Sequence, residues 1–339
     1  MTSNAAPPAY DHLCWAYDDP AVLDSRAMAF LAAGLAAGER VWLAAPSRPG
    51  SLTHRLDGLP GLADALRTGA ARMVPVDDAY RREEVIDPET QVRHYAAATA
   101  DALADGYTGF RVAAETTSLV RTPAQRDAFT RYEHLIDRYM RVNPMSAICA
   151  YDRRELGEPA IAELACLHPE TNADVLFRLY AADPDEGAVA LAGELDPSNH
   201  RLFATALDRA DPQPVDGRLV VDGTDLRFID HRCLIHLGEH ARRRGVTAVL
   251  RTSRSSAARL VELLDLPDVR VEVMRWGPVP PPATSATTTR PSCSTRTSTC
   301  SPWCCPSCSV ASRPASRPWW ASVGATPSWS GRPCPPARA

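Results

Sequence analysis

The sequence predicts an α/β protein in three parts: a parallel-sheet domain over residues 10–180, a smaller α/β domain over 187–275, and a disordered tail over 277–339. Three observations carry this reading. Short apolar runs alternate with helix-length segments from His12 to Leu179, and strands separated by helices cross over into a parallel sheet. The alternation is interrupted at the acidic Ala181-Ala182-Asp183-Pro184-Asp185-Glu186, which reads as a linker, and then resumes. At Gly277 the acidic and most aliphatic residues stop together.

In the first domain His12 to Tyr17 reads as a strand, and Pro20 with Asp24 opens a helix carrying Val22, Leu23, Met28, Phe30, Leu31 and Leu35. Gly38-Glu39 turns the chain into the strand Val41 to Ala45. A helix from Leu52 to Leu66 and a short strand from Ala71 to Pro75 follow. Tyr80 to Glu89 is polar and reads as a loop before the helix Thr90 to Ala104. The strand Phe110 to Ala114 ends at Glu115, the helix Pro123 to Tyr139 precedes the strand Ser146 to Tyr151, and Pro159 to His168 is helical again. The final strand, Asp174 to Leu179, is expected to close the domain. Ala44-Ala45-Pro46-Ser47-Arg48-Pro49-Gly50 lacks the Lys and the Ser or Thr of a phosphate loop, so no apparatus for nucleotide hydrolysis is evident.

The second domain begins with a strand at Ala188 to Leu191 and a helix at His200 to Ala210, joined through Gly193-Glu194-Leu195-Asp196, which resembles a turn of the family named below. Leu219 to Val221 forms a strand that turns at Asp222-Gly223. After Phe228-Ile229-Asp230 comes a helix with a stripe at Cys233, Leu234 and Leu237. Arg242 to Arg244 lie in its last turn and Gly245 just beyond, where cations and a left-handed residue suit the exposed carbonyls. Val246 to Leu250, Ser256 to Leu264 and Val269 to Met274 complete the domain as strand, helix and strand.

The net charge of −4 is unevenly spread. Residues 277–339 hold six Arg and no acid, leaving 31 Arg against 41 acidic residues in 1–276, a balance of −10. An acidic body argues against nonspecific nucleic-acid binding. Cys14, Cys149, Cys166 and Cys233 are too widely spaced for a disulfide framework and suit a reducing cytoplasm. The first residues have no basic start, and no run approaches 18 apolar residues, so neither a signal peptide nor a membrane span is expected. The tail has thirteen Pro, six Cys and four Trp, but no Leu, Ile, Phe, Tyr or Met. It cannot build an aliphatic core, and its composition fits an out-of-frame reading of a GC-rich gene. Cys300, Cys304, Cys305 and Cys308 offer metal-like spacing without hydrophobic support.

Two family resemblances follow from particular residues. His12, Tyr17-Asp18, Gly34-Leu35, Gly38-Glu39, Gly106-Tyr107-Thr108-Gly109-Phe110-Arg111 with Glu115, Tyr132-Glu133, Cys149-Ala150-Tyr151-Asp152 and His168-Pro169 stand in an order that resembles the MEDS domain over about residues 10–178. That is a sensory domain of methanogens, methylotrophs and many actinobacteria. The resemblance implies the architecture of a RecA or KaiC ATPase core without its phosphate loop, and a role in sensing small hydrocarbon derivatives. Arg218 to Arg251 resembles the central part of a STAS domain of the anti-sigma-factor antagonists, and the likeness spans 187–275. Where that family's loop reads Asp-Ser-Ser-Gly-Leu, this chain has Asp230-His231-Arg232-Cys233-Leu234. A phosphate at a helix start would be a strong switch, but no hydroxyl is present to carry one. The resemblance implies a docking face at Asp230, His231, Arg232 and Cys233 for an anti-sigma factor or related kinase-like protein, without phosphorylation at this loop, with a structural role at the helix entrance as the other reading of Asp230.

Ligands of parallel sheets bind beyond the carboxyl ends of the strands, where Tyr17, Glu115 and Tyr151 fall. Arg111 and Glu115 share one side of an extended strand, as a pocket-wall ion pair, as holders of an anionic ligand or as a structural pair. His12 and Cys14 share a face of the first strand and, with Cys149 and His168, make up a mixed sulfur and nitrogen set that only the fold could assemble. A small-molecule pocket and ordinary buried roles stand beside that option, and the expectation carries no metal and no cofactor. Tyr132-Glu133 reads as a packing and solvated pair. The sequence thus predicts a cytoplasmic signalling regulator that senses a small organic molecule and acts on transcription through protein contacts, with homo-oligomers left open. The alternatives are an adaptor with degenerate sensor and switch, or a Cys/His-dependent enzyme on the first domain.

Overall fold

The computed structural model describes residues 11–46, 61–80, 85–182 and 189–274. The start of the helix expected from Leu52, part of the loop after Tyr80, most of the acidic linker and the Cys-rich tail lie outside the described residues.

The first domain runs β1 (His12–Tyr17), α1 (Pro20–Ala36), β2 (Arg40–Ala45), α2 (Leu62–Thr68), β3 (Ala71–Pro75), α3 (Val76–Ala79), α4 (Pro88–Ala104), β4 (Phe110–Glu115), α5 (Pro123–Met140), β5 (Met145–Asp152), α6 (Arg153–Ala165) and β6 (Glu170–Thr171). Local chemistry sets the helix starts. Asp19 accepts from Ala21 N ahead of Pro20, Asp87 accepts from Thr90 N ahead of Pro88, and Thr122 and Gln125 close a reciprocal capping box around Pro123. The strands lie in the order β3-β2-β4-β5-β1-β6, every pair parallel.

Side chains alternate across this sheet, so each strand supplies two layers. Leu13, Tyr17, Leu43, Ile148 and Ala150 face the core shared with α1. Cys14, Ala16, Val112, Cys149 and Tyr151 face the opposite core, which holds Tyr95 of α4 and Phe129, Tyr132, Ile136 and Met140 of α5. The position of His12, two residues before Cys14, therefore places it under α5. Helix α6 begins at Arg153, earlier than its expected start at Pro159, with a break at Gly157 (φ 76°) ahead of that proline. It stops at Ala165, which leaves His168 outside the helix.

The second domain contains β7 (Phe177–Ala181), β8 (Val189–Leu195), α7 (His200–Ala210), β9 (Arg218–Gly223), β10 (Leu226–Ile229), α8 (His231–Arg243), β11 (Thr247–Thr252), α9 (Ser255–Leu263) and β12 (Val269–Val273). Its sheet has the order β10-β8-β9-β11-β12, with parallel pairs, and β7 runs antiparallel on β8. The strand expected to close the first domain thus belongs to the sheet of the second. Phe177, Leu179 and Ala181 are buried on alternate positions, and Phe177 meets Phe203 edge-on at 5.8 Å. The first sheet is edged instead by the two residues of β6, beside Leu13 and Cys14.

The expected turn at Gly193-Glu194-Leu195 is a continuation of β8. Gly193 has φ +92°, and a Cβ there would stand 2.2 Å from the Leu176 carbonyl oxygen. Only glycine permits both the backbone angle and the close approach of β7. Gly193→Ala is expected to cost at least ~2 kcal/mol, read as a lower urea midpoint. An unchanged midpoint would show that β7 shifts without penalty.

The two domains interlock. Cys166 and Leu167, at the end of α6, pack in the second core, and Leu179 N donates to Cys166 O at 2.7 Å. Helix α5 lies against α7, and Arg131–Asp211 (2.9 Å), Arg209–Asp127 (2.6 Å) and Arg209–Glu163 (2.9 Å) bridge the seam.

Candidate functional site

Four elements bring polar side chains to one point under α5. His12 comes from the first residue of β1, Cys149 and Tyr151 from one face of β5, Glu133 and Asp137 from successive turns of α5, and His168 from the turn after α6. All are buried, with Glu133 and His168 at 0 % exposure. Spacing i, i+4 puts Glu133 and Asp137 on the same side of the helix, facing the sheet rather than solvent. Tyr132 packs in the core as expected, but Glu133 is buried rather than solvated.

Glu133 is the hub. Its Oε2 lies 3.0 Å from His12 Nε2, 3.4 Å from His168 Nε2 and 3.4 Å from Cys149 Sγ, and its Oε1 accepts from Tyr151 OH at 2.7 Å. His12 Nδ1 faces Asp137 Oδ1 at 3.1 Å. Both ring nitrogens of His12 therefore meet carboxylates and both must donate. Burial opposes the charge, but Asp137 and Glu133 outweigh it and hold the ring up at about 9. Burial likewise pushes the Cys149 thiol well above its usual range, and the neighbouring Glu133 pushes it further. Such a thiol is no nucleophile, so the cluster offers no start to a Cys/His reaction.

The other predicted site residues lie elsewhere. Tyr17 OH donates to Glu115 Oε1 at 3.2 Å at the carboxyl ends of β1 and β4, and Thr117 N donates to the same oxygen at 3.2 Å. Arg111 does not pair with Glu115. Four residues of strand separate them by roughly 13 Å, and Arg111 instead binds Glu39, its Nε 2.5 Å from Oε2, while its guanidinium lies over the Phe30 ring. Gly34 makes this fit, since a Cβ there would meet Arg111 Cδ at 2.7 Å. Cys14 is the strand partner of Cys149 but stands outside the Glu133 set. Two open clefts of about 390 and 330 Å³ are lined by Asp127, Arg131 and Arg209 and by Thr171, Phe177 and Arg227 respectively. Neither is lined by the His12 cluster.

Residues 11–169 match the family described as the methanogen/methylotroph DcmR sensory domain, MEDS, and residues 179–273 match the MlaB STAS domain. The chain carries a MEDS domain fused to a STAS-like domain. Both are regulatory rather than catalytic modules, and the pairing is that of a sensory, regulatory protein acting through protein contacts. No curated protein matches the chain. Among the described residues no helix is long and apolar enough to cross a membrane. The STAS match begins at residue 179, inside β7, in accord with the pairing of that strand to β8.

In the STAS-like domain Asp230 caps α8, its Oδ1 accepting from Cys233 N at 2.9 Å. It is buried, as is Cys233, so these two hold the loop in shape. His231 and Arg232 are exposed, beside Phe228 at 50 % exposure. Arg232 NH1 lies 3.4 Å from His200 Nε2.

Proposed function

We propose that this protein is a signalling regulator in which the MEDS domain registers a small chemical signal at the Glu133 cluster and the STAS-like domain reports it through the loop at Asp230. Asp137 is the observation that supports this most. Its Oδ1 faces His12 Nδ1 at 3.1 Å, and its Oδ2 accepts from Ala181 N at 2.7 Å. One carboxylate thus ties the buried cluster to the last residue of β7, which pairs along β8 of the STAS-like sheet. A signal requires that a ligand favour one of two arrangements, and a change of proton or ligand at His12 acts directly on this carboxylate.

The framework fits a RecA/KaiC-like core without its phosphate loop. The partner is an anti-sigma factor or related kinase-like protein, docked on His231, Arg232 and Phe228 and not switched by phosphate at this loop. Among the described residues the four cysteines are free and buried, which suits a cytoplasmic setting, and neither membrane nor nucleic acid is needed. The close packing of the cluster favours one second reading, an adaptor whose sensor no longer accepts an organic molecule.

The test is capture of a purified kinase-like anti-sigma protein by the full chain and by Arg232→Glu and Asp137→Asn variants. Arg232→Glu should lower affinity at least ~10-fold through reversal of a docking charge, and Asp137→Asn should alter affinity without touching the docking face. Equal affinity for all three chains sinks the docking assignment.

A further inference from the structure

We infer that His12, Glu133, Cys149 and His168 form a four-ligand site for a divalent transition metal ion of the zinc class. This deepens the sensory reading by naming what the sensor binds, and as a signal it rests on that reading, although the site itself stands on geometry alone.

The donor atoms are His12 Nε2, Glu133 Oε2, Cys149 Sγ and His168 Nε2, all within 4.8 Å of one another. Separations of 3.0 Å (His12–Glu133), 3.4 Å (His168–Glu133), 3.4 Å (Cys149–Glu133) and 3.8 Å (Cys149–His12) relate them. A tetrahedral ion with bonds of about 2.0–2.3 Å spaces its ligand atoms roughly 3.3–3.7 Å apart. These four separations stand within a few tenths of an ångström of that spacing, and the two remaining pairs, from His168 to His12 and to Cys149, lie within 4.8 Å, so an inward shift of at most about 1 Å by His168 would close the site.

The surrounding contacts are those a metal centre needs. A ligating histidine gives its second ring nitrogen to a carboxylate or carbonyl, which aims the first at the ion. His12 Nδ1 is held by Asp137 at 3.1 Å and His168 Nδ1 by the Leu164 carbonyl at 2.9 Å, so both Nε2 atoms converge on Glu133. Glu133 is itself fixed by Tyr151 through its other oxygen. His168 Nε2 is buried and makes no hydrogen bond. It stands 3.4 Å from Glu133 Oε2 with Nδ1 already held by Leu164, an unbonded contact that a shared metal ion would resolve.

Chemistry selects the class of ion. Two imidazoles, one thiolate and one carboxylate suit zinc and its neighbours rather than magnesium or calcium. With four protein ligands and no exposure the site is closed, of the structural or sensory type, with no open position for substrate. Charge also balances. A divalent ion replaces two protons, the one between His12 Nε2 and Glu133 and the one on Cys149 Sγ, so the net buried charge stays the same. Such an ion needs no organic-sized cavity, in keeping with the packing around Glu133. Loading takes the Nε2 proton from His12 while Asp137 keeps its bond to Ala181 N, and so reaches β7.

The test uses the full chain under reducing conditions, unfolded with chelator and refolded with or without Co²⁺ as the spectroscopic stand-in for zinc. Wild type should bind one equivalent more than Cys149→Ser and His168→Ala, with a thiolate-to-cobalt charge-transfer band and tetrahedral ligand-field bands that Zn²⁺ displaces. Cys149→Ser should lose that band, Cys166→Ser should keep it, and Asp137→Asn should weaken binding about 10–100-fold. Any ion held by the six tail cysteines survives all these substitutions, so the difference isolates the buried site. X-ray absorption of the wild-type cobalt form, which needs no variant to fold, should show one sulfur and three nitrogen or oxygen ligands at the difference site. Equal cobalt content and spectra in wild type and Cys149→Ser, or an all-sulfur shell alone, overturn the proposal. Metal bound at this site with unchanged partner affinity upholds the site and sinks the sensory reading, whereas partner capture by a chain with no such metal sinks the site.

Discussion

Glu133→Ala is expected to destabilise the metal-free chain by about 3–5 kcal/mol, the scale for removing one partner from a buried charge cluster. Burial alone would push the Glu133 carboxyl up, but the His168 and His12 rings beside it hold it well below the usual carboxylate range. The side chain is at 0 % exposure, so none of its attraction is screened by water. Truncation leaves the His12 ring with Asp137 alone, removes the acceptor of Tyr151 OH and opens a void in a packed layer. Guanidinium unfolding should show a lower midpoint with an unchanged slope. Glu133→Gln keeps the volume and one acceptor and should fall between wild type and the alanine variant. Were Glu133→Ala as stable as wild type, the cluster would hold nothing together.

The sequence carried most of the architecture and part of the site. Alternation, helix caps and the Gly245 stop are local features that the chain states directly, and they reappear as β1 to β5 and α7 to α9. The sheet to which a strand belongs is not local. Phe177, Leu179 and Ala181 read alike whether they close the first sheet or join the second, because alternation specifies a face and not a neighbour. For the same reason Arg111 and Glu115 share a face without touching, and the true partner, Glu39, comes from the turn after α1.

His12, Cys149, Tyr151 and His168 could be chosen from the sequence as polar residues in or beside strands and turns. Glu133 stands in the family resemblance yet reads as solvated, and Asp137 carries no signal of its own, because acids at i, i+4 on a helix usually mark its solvent face. A signal was nevertheless present: Phe129, Glu133, Ile136 and Met140 lie on one stripe of α5, and an acid in an apolar stripe is out of place. That α5 has so little solvent face follows from its position between the first sheet and α7, a tertiary fact.

Helix α5 also sets the acid limit of stability. His134 is 1 % exposed, and neither of its ring nitrogens has a hydrogen-bond partner. Burial lowers it from the ordinary 6.5 to about 4; the nearby Asp137 opposes this, while Arg138 and Arg131 assist. A histidine with a depressed folded-state value contributes fully above 6.5, and the contribution is lost as pH falls toward 4, because the unfolded chain takes up the proton first. His12 works in the opposite sense: held at about 9, its contribution is complete below 6.5 and is lost as pH rises through 9. The metal-free chain should therefore be most stable near pH 6.5. For His134 the span from 6.5 to about 4 corresponds to roughly 3 kcal/mol of stability removed on acidification. His134→Leu cannot take up that proton, so its stability relative to wild type should improve by about this amount between pH 7 and pH 4, measured from urea midpoints across the range. Parallel pH profiles for the two chains would mean that His134 reaches water when protonated, and that α5 opens far more readily than the burial of this side chain indicates.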